Sequence, residues 1–143
     1  MQLIKKKITI FGGEQLRPNL HILDYCRAVI KLMSVDKSLV QNQIFNVGYQ
    51  NHSIKNLAQI VKKTVEKSTK IKNINLSTIK SNDIRSYHIN SDRIKRKINF
   101  VPKYTISHAV QELILAFKKK KLKNPFSNNI YFNVKRMMKI NAK

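Results

Sequence analysis

Apolar residues fall in short blocks separated by polar turns. Ile8-Thr9-Ile10-Phe11 is a run of β-formers closed by Gly12-Gly13, which predicts a strand and a turn. Glu14 to Asn19, with Pro18, reads as a polar loop. Between Ile22 and Met33, Tyr25, Val29 and Leu32/Met33 recur at helical spacing. Ile44-Phe45-Asn46-Val47, stopped by Gly48, predicts a second strand. Ser53 is placed to cap a helix whose apolar face is Ile54, Leu57/Ala58, Val61 and Val65. Ile74 to Ile79 predicts a third strand, and Asn82 to Asn90 a polar connection around Asp83 and Arg85. Ser91-Asp92 starts a short helix that ends before Phe100-Val101-Pro102. Thr105 caps a last helix carrying Ile106, Val110, Leu113 and Phe117 on one face. From Leu122 onward, with Pro125, the pattern is extended or partly helical.

The order strand, helix, strand, helix, strand, helix, helix is that of an α/β unit. No internal repeat is present. A chain of 143 residues suits one domain with a real core, here residues 1–121, followed by a basic tail over 122–143.

Charge changes the picture more than overall composition does. The formal net charge is +22, which points to a polyanion partner. The lysines, however, spread over the whole chain together with abundant Ile and Asn, residues encoded by AT-rich codons. That distribution fits compositional drift, and no nucleic-acid motif accompanies it, so no specific nucleic-acid partner is expected. No apolar run approaches the roughly 18 residues of a membrane span, and Ile8 to Phe11 is too short for a signal-peptide core. These features predict a cytoplasmic protein with no membrane partner, and the single Cys26 agrees because it offers no intrachain disulfide.

Little in the residues resembles a complete active site. The three glycines, Gly12, Gly13 and Gly48, form no GxGxxG loop. The histidines, His21, His52, His88 and His108, lack partners at metal-ligand spacing. Cys26 sits within a helical pattern and is read as packed rather than reactive. Tyr131 and Lys135 fit Tyr-x-x-x-Lys, the spacing that lets an ammonium lower a phenol's pKa, but they lie in the tail with no nucleotide-binding unit before them. The informative set is cationic. Arg17 lies in one loop, and Lys80, Asp83 and Arg85 lie in another. Converging, these loops would form an anion site suited to a diphosphate, which Arg grips through a planar fork. Apart, they are ordinary surface charges.

Four segments resemble a known family in order and spacing. Phe11 to Asp24, FGGEQLRPNLHILD, resembles the Gly-x-Gln-x-Arg-x-x-x-His-[Val/Ile]-x-Asp segment of the NAD-dependent epimerase/dehydratase family, the extended short-chain dehydrogenases. Phe45-Asn46-Val47-Gly48 is similar to the family's Phe/Tyr-Asn-[Val/Leu/Ile]-Gly strand. Asp83 to Ile94 resembles Asp-x-Arg-Ser-Tyr-x-[Val/Ile]-x-x-x-Lys-Ile, with Arg93 in place of the Lys. Asn99-Phe100-Val101-Pro102 resembles Gly-[Phe/Tyr/Trp]-x-Pro, with Asn99 for the Gly.

The resemblance covers roughly residues 8 to 120. It implies the C-terminal portion of a doubly wound, Rossmann-type α/β fold with short strands and about four helices. It also implies that Arg17 contacts a nucleotide-sugar diphosphate, and that the loop bearing Lys80 and Asp83 closes over it, with Arg85 adding charge. Lys80 stands where the family usually has Arg. NAD is the cofactor of full-length members, whose glycine loop and Tyr-Lys pair belong to the N-terminal half. The expectation is therefore a truncated or split member that binds no cofactor and catalyses nothing alone. It would pair with a separate N-terminal half or form a homo-oligomer, and would be marginally stable in isolation. The alternatives are a basic nucleic-acid-binding module and a non-enzymatic interaction subunit of the same fold.

Overall fold

The computed structural model describes residues 6–83 and 85–140. Ile84 and the outermost residues of both termini, including most of the basic Met1 to Lys7 stretch, lie outside the described residues. Strand β1 (Lys7–Phe11) pairs in parallel with β4 (Asn75–Ile79), Lys7 opposite Asn75 and Phe11 opposite Ile79. Strand β2 (Leu16–Asn19) pairs antiparallel with β3 (Gln50–Ser53). The helices are α1 (Ile22–Ser34), the short α2 (Lys37–Val40), α3 (Ile54–Ser68), α4 (Asp92–Ile98), α5 (Ile106–Lys118) and α6 (Asn133–Lys139), with a 3-10 turn at Asn129–Tyr131.

Helix α3 links the two sheets. Ser53 ends β3 and caps the helix, its Oγ accepting from Asn56 N at 3.2 Å. The predicted face of α3 is the one buried. Val65 packs with Ile74, Val110 and Ile114, and with the partly buried Ile8, Val61, Ile71 and Ile106. A second cluster gathers Ala28 of α1 with Ile94, Ile98 and Phe100. Helix α4 ends on Asn99, at φ 53°. This left-handed position favours Gly, and Asn tolerates it better than other side chains.

The structure corrects several sequence expectations. Leu16 to Asn19 is a strand, not a loop. Its proline is tolerated because the strand lies at a sheet edge. Ile44 to Val47 is not a strand and pairs with none among the described residues; the ladder begins at Gln50. Phe45 and Val47 pack instead on the Ile94–Phe100 cluster. Arg93 fixes this stretch, donating to Ile44 O at 3.1 Å and lying over the Phe45 ring. On α1 the stripe of Tyr25, Val29 and Met33 points outward, with Met33 82 % exposed, whereas Asp24 and Ala28 are buried. Cys26 shares the outer side and is exposed rather than packed. On α5, Ile114 is buried in place of the expected Leu113.

Residues 88–91 dock against 48–51. Asn51 is bonded twice to Ile89, donating to its carbonyl and accepting from its N–H, each at 3.0 Å. Gly48 N donates to Ser91 Oγ at 2.7 Å. A Cβ on Gly48 would sit 2.3 Å from Ile89 Cγ2, so the two segments approach only because this side chain is missing. Gly48→Ala is expected to cost about 1–3 kcal/mol by overpacking. Ile89→Ala in the same chain should recover part of that loss, as read by denaturant unfolding of the single and double variants.

Candidate anion site

The turn after β1 and the connection after β4 face each other because β1 and β4 are paired, and Gly12 N continues the ladder to Ile79 O at 2.9 Å. Gln15 then joins the two loops. Its Nε2 donates to Phe11 O at 3.1 Å and to Asp83 O at 3.0 Å, while its Oε1 accepts from Gly13 N at 2.5 Å. The side chain lies against Gly12, whose φ of +75° requires glycine and where an added Cβ would meet the Gln15 amide at 2.4 Å. Two further bonds extend the junction, from Leu16 N to the Ser86 side-chain Oγ at 2.8 Å and from Tyr87 N to Leu16 O at 3.1 Å.

On this scaffold Arg17, Asp83 and Arg85 meet. Arg17 Nη2 lies 3.2 Å from Asp83 Oδ2. Its Nη1 donates to Leu16 O at 2.9 Å and Arg85 O at 2.6 Å, and its guanidinium stacks 5.3 Å from the Tyr87 ring centroid. Arg85 Nε donates to Asp83 Oδ1 at 2.8 Å and Nη2 to Oδ2 at 3.2 Å, a bidentate grip. Lys80 is exposed at the end of β4, in the same connection as Asp83. Arg17, on β2, and the connection bearing Asp83 and Arg85 come together, with Asp83 bridging two guanidinium groups. Sequence reasoning missed Gln15, Ser86 and Tyr87 as the parts that hold them together. All three are named positions of the motifs that the chain resembles, and that was the available signal.

This clasp has a predictable pH response. The side-chain hydrogen bond from Arg85 holds the Asp83 carboxyl below the ordinary carboxylate value, helped by the Arg85 N–H and by the charges of Arg85 and Arg17. The same partnership raises Arg85. A carboxyl depressed in the folded state contributes order that is complete above its unfolded value and is lost as pH falls through its folded value. The Leu16 and Tyr87 amides should therefore keep their hydrogen-exchange protection through the ordinary carboxylate range and lose it only in more acidic solution.

The glycines do not fit a dinucleotide. Gly12 is filled by Gln15, Gly13 has Lys55 Cβ at 3.6 Å from where its own Cβ would lie, and Gly48 is covered by Ile89. Nor does the Gly12-Gly13 turn lead into a helix N-terminus; β2 follows it. The described residues thus lack the glycine turn running into a helix N-terminus on which a dinucleotide cofactor's pyrophosphate would rest. A groove of about 530 Å³ between β1, α3 and α5 is walled by Ile8, Ile10, Leu57, Val61, Val110 and other apolar residues, and it shares none of the clasp. Tyr131 lies in the 3-10 turn, and Lys135 sits over Phe132 at 5.0 Å.

No family model matches the chain, and neither does any curated protein sequence. Its fold, however, is found in solved structures. It is part of the Rossmann-like α/β fold of NAD-dependent epimerases and dehydratases, the extended short-chain dehydrogenases. UDP-glucuronic acid 4-epimerase from Bacillus cereus, solved in complex with UDP-glucuronic acid and NAD, superposes with a TM-score of 0.67 at 18 % identity over 83 % of this chain and 38 % of its own. ADP-L-glycero-D-manno-heptose-6-epimerase from Helicobacter pylori gives 0.64 at 20 % identity, over 82 % and 35 %. L-threonine dehydrogenase from Phytophthora infestans gives 0.67 at 12 % identity, over 83 % and 39 %. The chain thus spans well under half the length of these relatives. Because a threonine dehydrogenase shares the fold as closely as the epimerases do, the fold alone does not select a sugar nucleotide.

Proposed function

We propose that this chain binds the diphosphate of a nucleotide-sugar and performs no redox chemistry by itself. It corresponds to the substrate-binding part of an epimerase/dehydratase. The observation that carries the reading is the convergence of Arg17, on β2, and Arg85, in the connection after β4, on a single carboxylate, with Gln15 tying the two sides together. Two guanidinium groups against one Asp83 leave the cluster with excess positive charge. A diphosphate would take over the fork that Asp83 now occupies, with Lys80 neutralising a second phosphate as a point charge. Apolar surface that the rest of such an enzyme would cover is offered by the outward stripe of α1 and by Ile44, 81 % exposed.

Titration of the chain with UDP-glucose, UMP and duplex DNA near physiological salt tests this. Saturable UDP-glucose binding is expected, with amide shifts confined to Gln15, Ser86, Tyr87 and their neighbours, and with much weaker binding of UMP. Equal affinity for UMP, or shifts spread over the lysine-rich surface, would sink the proposal. Sequence-dependent DNA binding that survives that salt would favour the nucleic-acid reading instead.

A further inference from the structure

After Lys118 the chain leaves the folded body as a segment tied back by the stacked rings of Phe117 and Phe126, 6.4 Å apart. Helix α6 then makes its main contacts with the 3-10 turn just before it. All residues from Asn133 to Ile140 are exposed. At about 100° per residue, Val134, Met137 and Met138 share one side, and Lys135, Arg136 and Lys139 share the opposite side. Val134 and Met138 are each 72 % exposed, and Ile130, Phe126 and Ile140 add apolar surface nearby. No acidic residue follows Glu112.

We propose that the segment from Phe126 to Ile140 docks on an anionic lipid surface. Val134, Met137 and Met138 enter the boundary between headgroups and acyl chains, and Lys135, Arg136 and Lys139 meet the anionic headgroups. Separate apolar and basic faces on one exposed helix are what an interfacial segment requires, because lipid satisfies both at once. Nucleic acid would neutralise the basic side but leave Val134, Met137 and Met138 in water. The expectation of no membrane partner rested on the lack of a spanning segment, and a helix lying in the interface needs none. The surface is independent of the anion site.

A chain of net charge +22 adheres to many polyanions, so the test must isolate the apolar face. The full chain would be floated at physiological ionic strength with phosphatidylcholine vesicles, and with vesicles in which a third of the lipid is phosphatidylglycerol. Wild type would be compared with the Val134→Ser/Met137→Ser/Met138→Ser variant, which keeps every charge and changes only exposed side chains. The expected result is binding to the anionic vesicles alone, weakened about tenfold or more in the triple variant. In the wild type, amides 133–140 should become protected from exchange only when those vesicles are present. Circular dichroism and thermal unfolding of the variant should match wild type. Undiminished binding by the triple variant would leave only general charge attraction and overturn the proposal. Failure of the wild type to float, or amides 133–140 already protected without lipid by docking on this chain or a second copy, would overturn it as well.

Discussion

Arg17→Ala should abolish diphosphate binding, with a loss of about 100-fold or more, the effect of removing one charge-assisted fork from an anion site. The substitution removes the Asp83 pair, the two carbonyl contacts that hold the loops together, and the stack on Tyr87. Arg17→Lys keeps the charge but not the fork, and should recover only part of the affinity. Asp83→Asn should act in the opposite direction. Neutralising the internal counter-ion frees both guanidinium groups, so pyrophosphate affinity should rise. Calorimetric titration of the three variants reads the contrast. Full affinity in Arg17→Lys would show that charge alone suffices and overturn the fork. Weaker binding in Asp83→Asn would instead assign Asp83 to orienting the ligand.

Asp24→Ala should be the most destabilising single change outside the hydrophobic clusters. The Asp24 carboxylate is fully buried, accepts from Lys103 N and Tyr104 N at 2.8 Å each, and pairs with Arg27 one turn along α1. It ties the start of α1 to the turn that leads into α5. Next to it, His21 caps α1 through Nδ1 and directs Nε2 to Glu112 of α5 at 3.3 Å. Alanine at position 24 strands two backbone donors and a guanidinium, at about 3–5 kcal/mol. For a chain of this size that corresponds to roughly 10 °C or more in Tm. Asp24→Asn keeps an acceptor and should lose clearly less. Urea unfolding with an unchanged m-value would show that the native state alone is affected.

How far the sequence could be read depended on which residues fill the buried positions. Helix α3 was legible because Ala58, Val61 and Val65 are both apolar and inward. Helix α1 was misread in its facing because its two buried positions are a charged residue, Asp24, and the small Ala28, while larger apolar residues face outward. Hydrophobicity ranks those positions in the wrong order, and only the backbone donors of Lys103 and Tyr104 explain the buried carboxylate. Strand β2 was hidden by Arg17 and Pro18, whose place in a ladder is set by a partner more than thirty positions away. The opposite error arose at Ile44 to Val47, where β-forming residues pair with no strand among the described residues. Arg17, Asp83 and Arg85 were legible as candidates from their loops and from the motif, but their meeting depends on the parallel β1–β4 pairing, which local pattern does not reveal.

That pairing also bears on the order of folding. The contacts that close the clasp across its two sides join residues 66 to 71 positions apart, and a parallel pair has no hairpin turn to nucleate it. Closing such a loop in a disordered chain carries a large entropy cost. Formation of α3 midway shortens the distance to be closed, so β1 and β4 should register only after α3 has packed. The anion site then assembles among the last features, on a high-contact-order step. A ligand that binds there selects fully folded molecules and raises the stability of the whole chain by mass action.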